Sequence, residues 1–154
     1  MPTPRCVLFT LLWLLAPKVS SPGQVRPCPG SQEYEMTHGI EIRTLVVNRV
    51  WGRAVRQDSD GHIRPDEKLP GCLSLFTADS HRFVSSTTID PGGRFDFGAV
   101  PTGSYRLIAR SPGFGTGNVP VKVVRSAWHR QRRLLVLFRL GAMDEWTTAD
   151  YDRE

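Results

Sequence analysis

Residues 86–114 read STTIDPGGRFDFGAVPTGSYRLIARSPGF, and this stretch decides the fold. Asp90 opens a turn in which its carboxylate can accept bonds from backbone amides. Pro91 presets one dihedral, and Gly92 and Gly93 permit the reversed ones. Phe95 and Phe97 then flank Asp96, and Tyr105, Leu107 and Ala109 alternate with Arg106 and Arg110. A period of two puts one set of side chains inward and the other in water, so both runs are strands. Val100 to Gly103 makes a second reversal, beyond which the Tyr105 ring is expected to pack inside while its hydroxyl reaches a backbone group.

Working outward, the same alternation recurs. Strands are expected at 44–51, 72–78, 83–89, 94–98, 104–110, 118–125 and 133–140, seven in all. Val119, Val121 and Val123 bracket Pro120 and Lys122; because Pro120 cannot donate to a ladder, its strand should lie at an edge or carry the ring at a non-bonded position. Leu134 to Leu140 is nearly continuously apolar, as in a strand covered on both sides. No convincing amphipathic helix is present. Seven short strands with turns at this spacing predict an all-β, antiparallel sandwich, because a parallel sheet calls for crossover helices.

The chain has 154 residues, with 20 Lys and Arg against 15 Asp and Glu, and 40% hydrophobic residues. That suffices for one modest core and excludes a large multidomain enzyme. Residues 1–23 read as a secretory signal: Arg5 supplies the positive region, Cys6 to Ala16 the apolar run, and Ser21 and Gly23 the small residues before a cut. Localisation is then secreted or periplasmic, with membrane contact only through this segment if it stays uncleaved. Its removal takes away Arg5 and Lys18 and lowers the formal charge from +5 to +3. Residues 24–42 form an extended leader, 43–141 the sandwich, and 142–154 an acidic tail expected to fray.

Cys6 leaves with the signal, so Cys28 and Cys72 remain as an even pair in an oxidising compartment. Paired, they close a loop of about 45 residues, worth roughly 4 kcal/mol in the chain-entropy account. Otherwise Cys72 is a small buried apolar residue in a strand and Cys28 a free thiol.

Thr88, Asp90, Gly93, Arg94, Phe95, Phe97, Val100, Pro101, Gly103, Tyr105, Pro112, Gly113 and Phe114 together resemble the pattern of the carboxypeptidase regulatory-like domain, over roughly residues 46–140. The resemblance implies a seven-stranded transthyretin-like (prealbumin-like) Greek-key sandwich. It also implies that Pro70, Gly71 and Cys72 open the second strand, with Cys72, Ser74 and Phe76 inward. The apolar alternation favours Leu73 and Leu75 instead, so either a bulge intervenes or the strand is apolar on both faces.

Chemistry is sparser. His38 and Glu41 have the spacing of a zinc pair, but a third ligand on a large α/β domain has no room in this chain. Asp58, Asp60, Gly61, Ile63 and Glu67 match positions of a calcium loop, with Arg56 in place of the first carboxylate and Pro65 interrupting its end; a solvated acidic turn is the plainer reading. His38, His62, His81 and His129 are scattered, and no Ser or Cys sits in a nucleophile elbow. Transthyretin-like hydrolases end in a Tyr-Arg-Gly-Ser type terminus, which Tyr151, Asp152, Arg153 and Glu154 do not supply.

Lys122, Arg125, Arg130, Arg132 and Arg133 form a basic cluster around Trp128. It is either a polyanion-binding loop or a solvated turn neutralised by the acidic tail. Trp51, Trp128 and Trp146 are candidates for a sugar-stacking platform. The expected function is therefore a secreted or periplasmic, non-catalytic sandwich with a structural or protein-interaction role. It has no cofactor or metal, and its partner is a protein or cell-envelope polymer rather than nucleic acid. A carbohydrate- or polyanion-binding module of the starch-binding-like type is the alternative.

Overall fold

The computed structural model describes residues 43–64, 69–126, 132–139 and 147–153. Ten strands and no helix lie among them: β1 (Leu45–Val47), β2 (Trp51–Gln57), β3 (Ile63–Arg64), β4 (Cys72–Thr77), β5 (Phe83–Thr88), β6 (Arg94–Asp96), β7 (Gly103–Arg110), β8 (Gly117–Val123), β9 (Leu134–Arg139) and β10 (Thr148–Tyr151). One sheet runs β1-β8-β7-β4-β5; the other runs β10-β9-β2-β3, with β6 also paired to β2. Leu73, Leu75, Tyr105, Leu107, Val119 and Val121 of the first sheet meet Ala54, Phe95, Leu134, Val136 and Phe138 of the second in a single buried core. The chain is an all-β sandwich.

Each of the seven expected strands has a counterpart, and the departures have identifiable causes. The sheets are mixed rather than wholly antiparallel: β1 pairs β8, and β2 pairs β9, in parallel. No helix is needed for these pairings, because six intervening strands in each case, β2 to β7 for the first and β3 to β8 for the second, carry the chain back to the end from which it started. The expected strand 44–51 is broken at Asn48 to Val50, where the chain crosses from one sheet to the other. Val50, fully buried at the crossing, accepts the Phe97 amide at 3.0 Å.

The end of the chain corrects the expectation of a frayed tail. Residues 148–151 form β10 on the edge of the second sheet, paired antiparallel with β9. The Tyr151 hydroxyl accepts a hydrogen bond from the Val46 amide at 2.8 Å, tying this edge to the first sheet. With β2 on its other side, β9 is a central strand. It is not covered on both faces, however: Leu134, Val136 and Phe138 are buried while Leu135 and Leu137 are half-buried.

Pro120 sits in β8 at a non-bonded position. Val124 donates to Val47, so amides at even positions of β8 point toward β1, and the pairing with β1 begins only at Val121. The deciding stretch behaves as read. Asp90 accepts from the Gly92 and Arg94 amides at 2.9 and 2.8 Å, and Gly93 has a φ of +74°. Phe95 and Phe97 pack edge to face against each other, Phe95 within the core and Phe97 against it. The Tyr105 hydroxyl donates to the Pro101 carbonyl at 2.8 Å, its ring lying over Gly103.

The strand opened by Cys72 resolves its two patterns in favour of Leu73 and Leu75, which join the core. The resemblance therefore misplaces Cys72, Ser74 and Phe76, which alternate onto the outer face. The pairing with β5 shifts register between Leu75 and Phe76, so a bulge is present as well. Ser74 and Phe76 are nonetheless buried.

Gly52 is where the second sheet is tightest, since a Cβ there would lie 1.9 Å from the Leu134 carbonyl oxygen. Gly52→Ala is expected to lower stability by about 2–4 kcal/mol through this backbone clash. Tyr105→Phe, which removes one hydrogen bond and keeps the ring, should lower it by about 1 kcal/mol. Urea unfolding of both variants measures the difference.

Candidate functional site: a tryptophan and arginine cleft

Alternation along β2 puts Trp51 and Arg53 on one face, and β6 pairs with β2 so that Arg94 lies opposite Arg53 and Asp96 opposite Trp51. The turn at Asp90 brings the end of β5, with Thr87 and Thr88, to the same place. Together with Arg133 at the entry to β9, these residues line an open cleft of about 650 Å³.

Its charges are largely paired. Arg53 donates through Nε and one terminal nitrogen to the two carboxylate oxygens of Asp152, both at 3.1 Å, a bidentate geometry that fixes both groups. The Asp152 side chain is only 2% exposed, and Arg133 approaches it at 3.7 Å. On the other side Arg49 makes a two-pronged pair with Asp96, which also accepts the Gly98 amide at 2.8 Å. The guanidinium groups of Arg49 and Arg133 lie 6.0 and 5.9 Å from the Trp51 ring, within cation–π range. The Trp51 indole nitrogen is buried and makes no hydrogen bond. The arrangement offers a flat aromatic face, hydroxyls and a guanidinium fork, which suit recognition of a polar or anionic ligand.

The basic cluster is divided between places. Lys122 is exposed on the outward face of β8, and Arg125 follows that strand, lining a shallow depression with Asn48, Arg49 and Thr102. Arg132 stacks 4.8 Å from the Tyr151 ring, and Arg133 joins the cleft. Arg130, Trp128, His129 and Trp146 lie outside the described residues, as do His38, Glu41 and Glu67. The acidic end of the chain does answer the basic residues: Asp152 faces Arg53 and Arg133, and Asp150 lies 3.6 Å from Arg43.

The candidate calcium loop is a hairpin turn between β2 and β3. The Asp58 carboxylate is paired with Arg64 Nε at 2.8 Å and Arg56 Nε at 3.4 Å, so two cations already engage one of the carboxylates a calcium ion would need. Among the described residues no group of three or more His, Cys, Asp or Glu is placed to hold a metal. Asp79, held below the ordinary carboxylate range chiefly by the Ser80 backbone amide, belongs to the exposed turn after β4 and not to the cleft. Cys72 is disulfide-bonded, and Cys28 lies outside the described residues.

Arg53, Arg94, Asp96 and Asp152 were not expected to be site residues from the sequence. The two-residue spacings Trp51/Arg53 and Arg94/Asp96 announced shared faces, but the meeting of β2, β6 and the chain end did not show in them.

No protein-family model matches the chain, and no curated protein matches it. Among solved structures, 5-hydroxyisourate hydrolase from Klebsiella pneumoniae is similar at 16% identity and a TM-score of 0.43, over 67% of this chain and 98% of the hydrolase. An (S)-allantoin synthase is similar at 10% identity and a TM-score of 0.39, over 69% of this chain and 45% of the synthase. These likenesses are too distant to speak to activity.

Asp152→Asn is expected to lower stability by about 1–3 kcal/mol, because it leaves Arg53 and Arg133 facing a neutral amide in a half-buried setting. Millimolar calcium is expected to leave the thermal midpoint unchanged; a rise would mean that the Arg56–Asp58–Arg64 arrangement opens for the ion. Differential scanning fluorimetry reads both.

Proposed function

We propose that the chain is a secreted or periplasmic, non-catalytic β-sandwich module of the carboxypeptidase regulatory-like kind, with a protein-interaction or structural role. One observation carries the reading: the polar groups of the deciding stretch serve the fold. Asp90 holds its turn, Asp96 pairs with Arg49, and the Tyr105 hydroxyl bonds to Pro101. A nucleophile or general base needs a partner that activates it and room for substrate, and these groups spend their hydrogen bonds on backbone or on arginine. The fold by itself is compatible with many activities, so the assignment rests on these residues. The partner in this reading is a protein or polymer of the cell envelope, reached by a chain whose first 23 residues direct its export.

A second reading, a carbohydrate- or polyanion-binding module, is favoured by the cleft. Trp51 offers a ring with a buried, unbonded indole N–H, beside Arg94, Arg133 and two threonine hydroxyls.

The two readings part on a glycan array. The interaction module shows no saturable binding. Saturable binding that Trp51→Ala and Arg133→Ala abolish would establish the second reading instead. Pure protein is expected to turn over no ester, amide or ring-opening substrate, and measurable turnover would overturn both. N-terminal sequencing of the exported protein is expected to begin at Gln24.

A further inference from the structure

The first sheet has two faces, and only one of them meets the second sheet. Ser74, Phe76 and Ile108 alternate with core residues, so their side chains lie on the outer face, where no described strand packs. A sheet face open to water leaves its central side chains substantially exposed, as on the one-sided sheets of many sandwiches. Here Phe76 and Ile108 are 0% exposed and Ser74 is 1% exposed. The Ser74 hydroxyl and Arg106 Nε, both polar atoms of this face, are shielded from water without a hydrogen bond. The face is covered.

We propose that the leader, residues 29–42, lies across this outer face as a third layer, anchored by a Cys28–Cys72 disulfide. Cys72 stands on the same face, opposite Thr88 on one side and Arg110 on the other, and is disulfide-bonded. The chain has two other cysteines, and Cys6 belongs to the segment read as the export signal.

The span fits. From Cys72 the path to Arg43, the start of the described chain, crosses β7 and β8 to reach the β1 edge. Carrying the registers through, Arg43 falls in line with Leu75. That is three strand spacings across and three residues along, roughly 17 Å. The 15 residues from Cys28 to Arg43 reach about 50 Å when extended, so the leader crosses the face with chain to spare.

The chemistry fits as well. Tyr34, Met36, Ile40 and Ile42 alternate with Glu33, Glu35 and Glu41, a two-residue period with one apolar and one acidic side. The outer face presents an apolar centre of Phe76, Phe83 and Ile108, bordered by Arg106, Arg110 and Lys122. Apolar side chains meet the centre, and carboxylates meet the basic border.

The test uses the exported, oxidised chain. Peptide mapping without reduction is expected to find Cys28 joined to Cys72. Hydrogen exchange read by mass spectrometry is expected to show the amides of 33–41 exchanging about tenfold or more slowly than an unstructured peptide. Glu33→Lys, Glu35→Lys and Glu41→Lys combined, which leave the sequence of the sandwich itself unaltered, should return those amides to unprotected rates. Unprotected leader amides in the unaltered oxidised chain, Cys72 joined to Cys6 or to a second molecule, or full protection in the triple variant would each overturn the proposal.

Discussion

The architecture depends on the approach of β9 to β2 over Gly52. Parallel pairing along six positions, from Gly52 opposite Leu134 to Gln57 opposite Arg139, makes these strands the middle of the second sheet. A side chain at residue 52 would occupy the space of the Leu134 backbone, so the contact exists only because that residue has none. With β9 seated, Arg133 is delivered to the Trp51 ring and β10 finds an edge to extend. Asp152, just beyond β10, then lies against Arg53. The cleft is thus a by-product of a backbone contact made at the strand entrance.

The charges there follow from the same closeness. A carboxylate exposed to only 2% has lost most of its water, and Arg53 and Arg133 face it in place of that hydration. A bidentate pair of this kind is rigid, and it leaves Trp51 and Arg94 as the adaptable surface of the cleft. The cleft therefore sets an aromatic ring and polar side chains around a stiff ion pair.

The local grammar of this chain was legible because it is written in neighbouring residues. Asp90, Pro91 and the two glycines specify a turn from their own dihedral and hydrogen-bonding preferences, and Tyr105 four residues beyond Pro101 specifies its corner. What did not show was long-range. Residues 144–154, rich in carboxylates, look like a solvated tail, yet β10 and Asp152 are built from them once β9 and Arg53 stand alongside. Nor did the alternation in β4 say that Phe76 would be buried on the far side from the core.

Alone, the amino-acid order determined that the chain forms strands, where most of them turn, and which side chains of β7 and β8 face inward, because these depend on a two-residue period and on turn chemistry. The tertiary structure decided which strands run parallel, which end of the sandwich gathers Trp51 with its arginines, and that the outer face of the first sheet is covered. Those outcomes depend on contacts between residues as far apart as Arg53 and Asp152, and no local pattern encodes who meets whom across the fold.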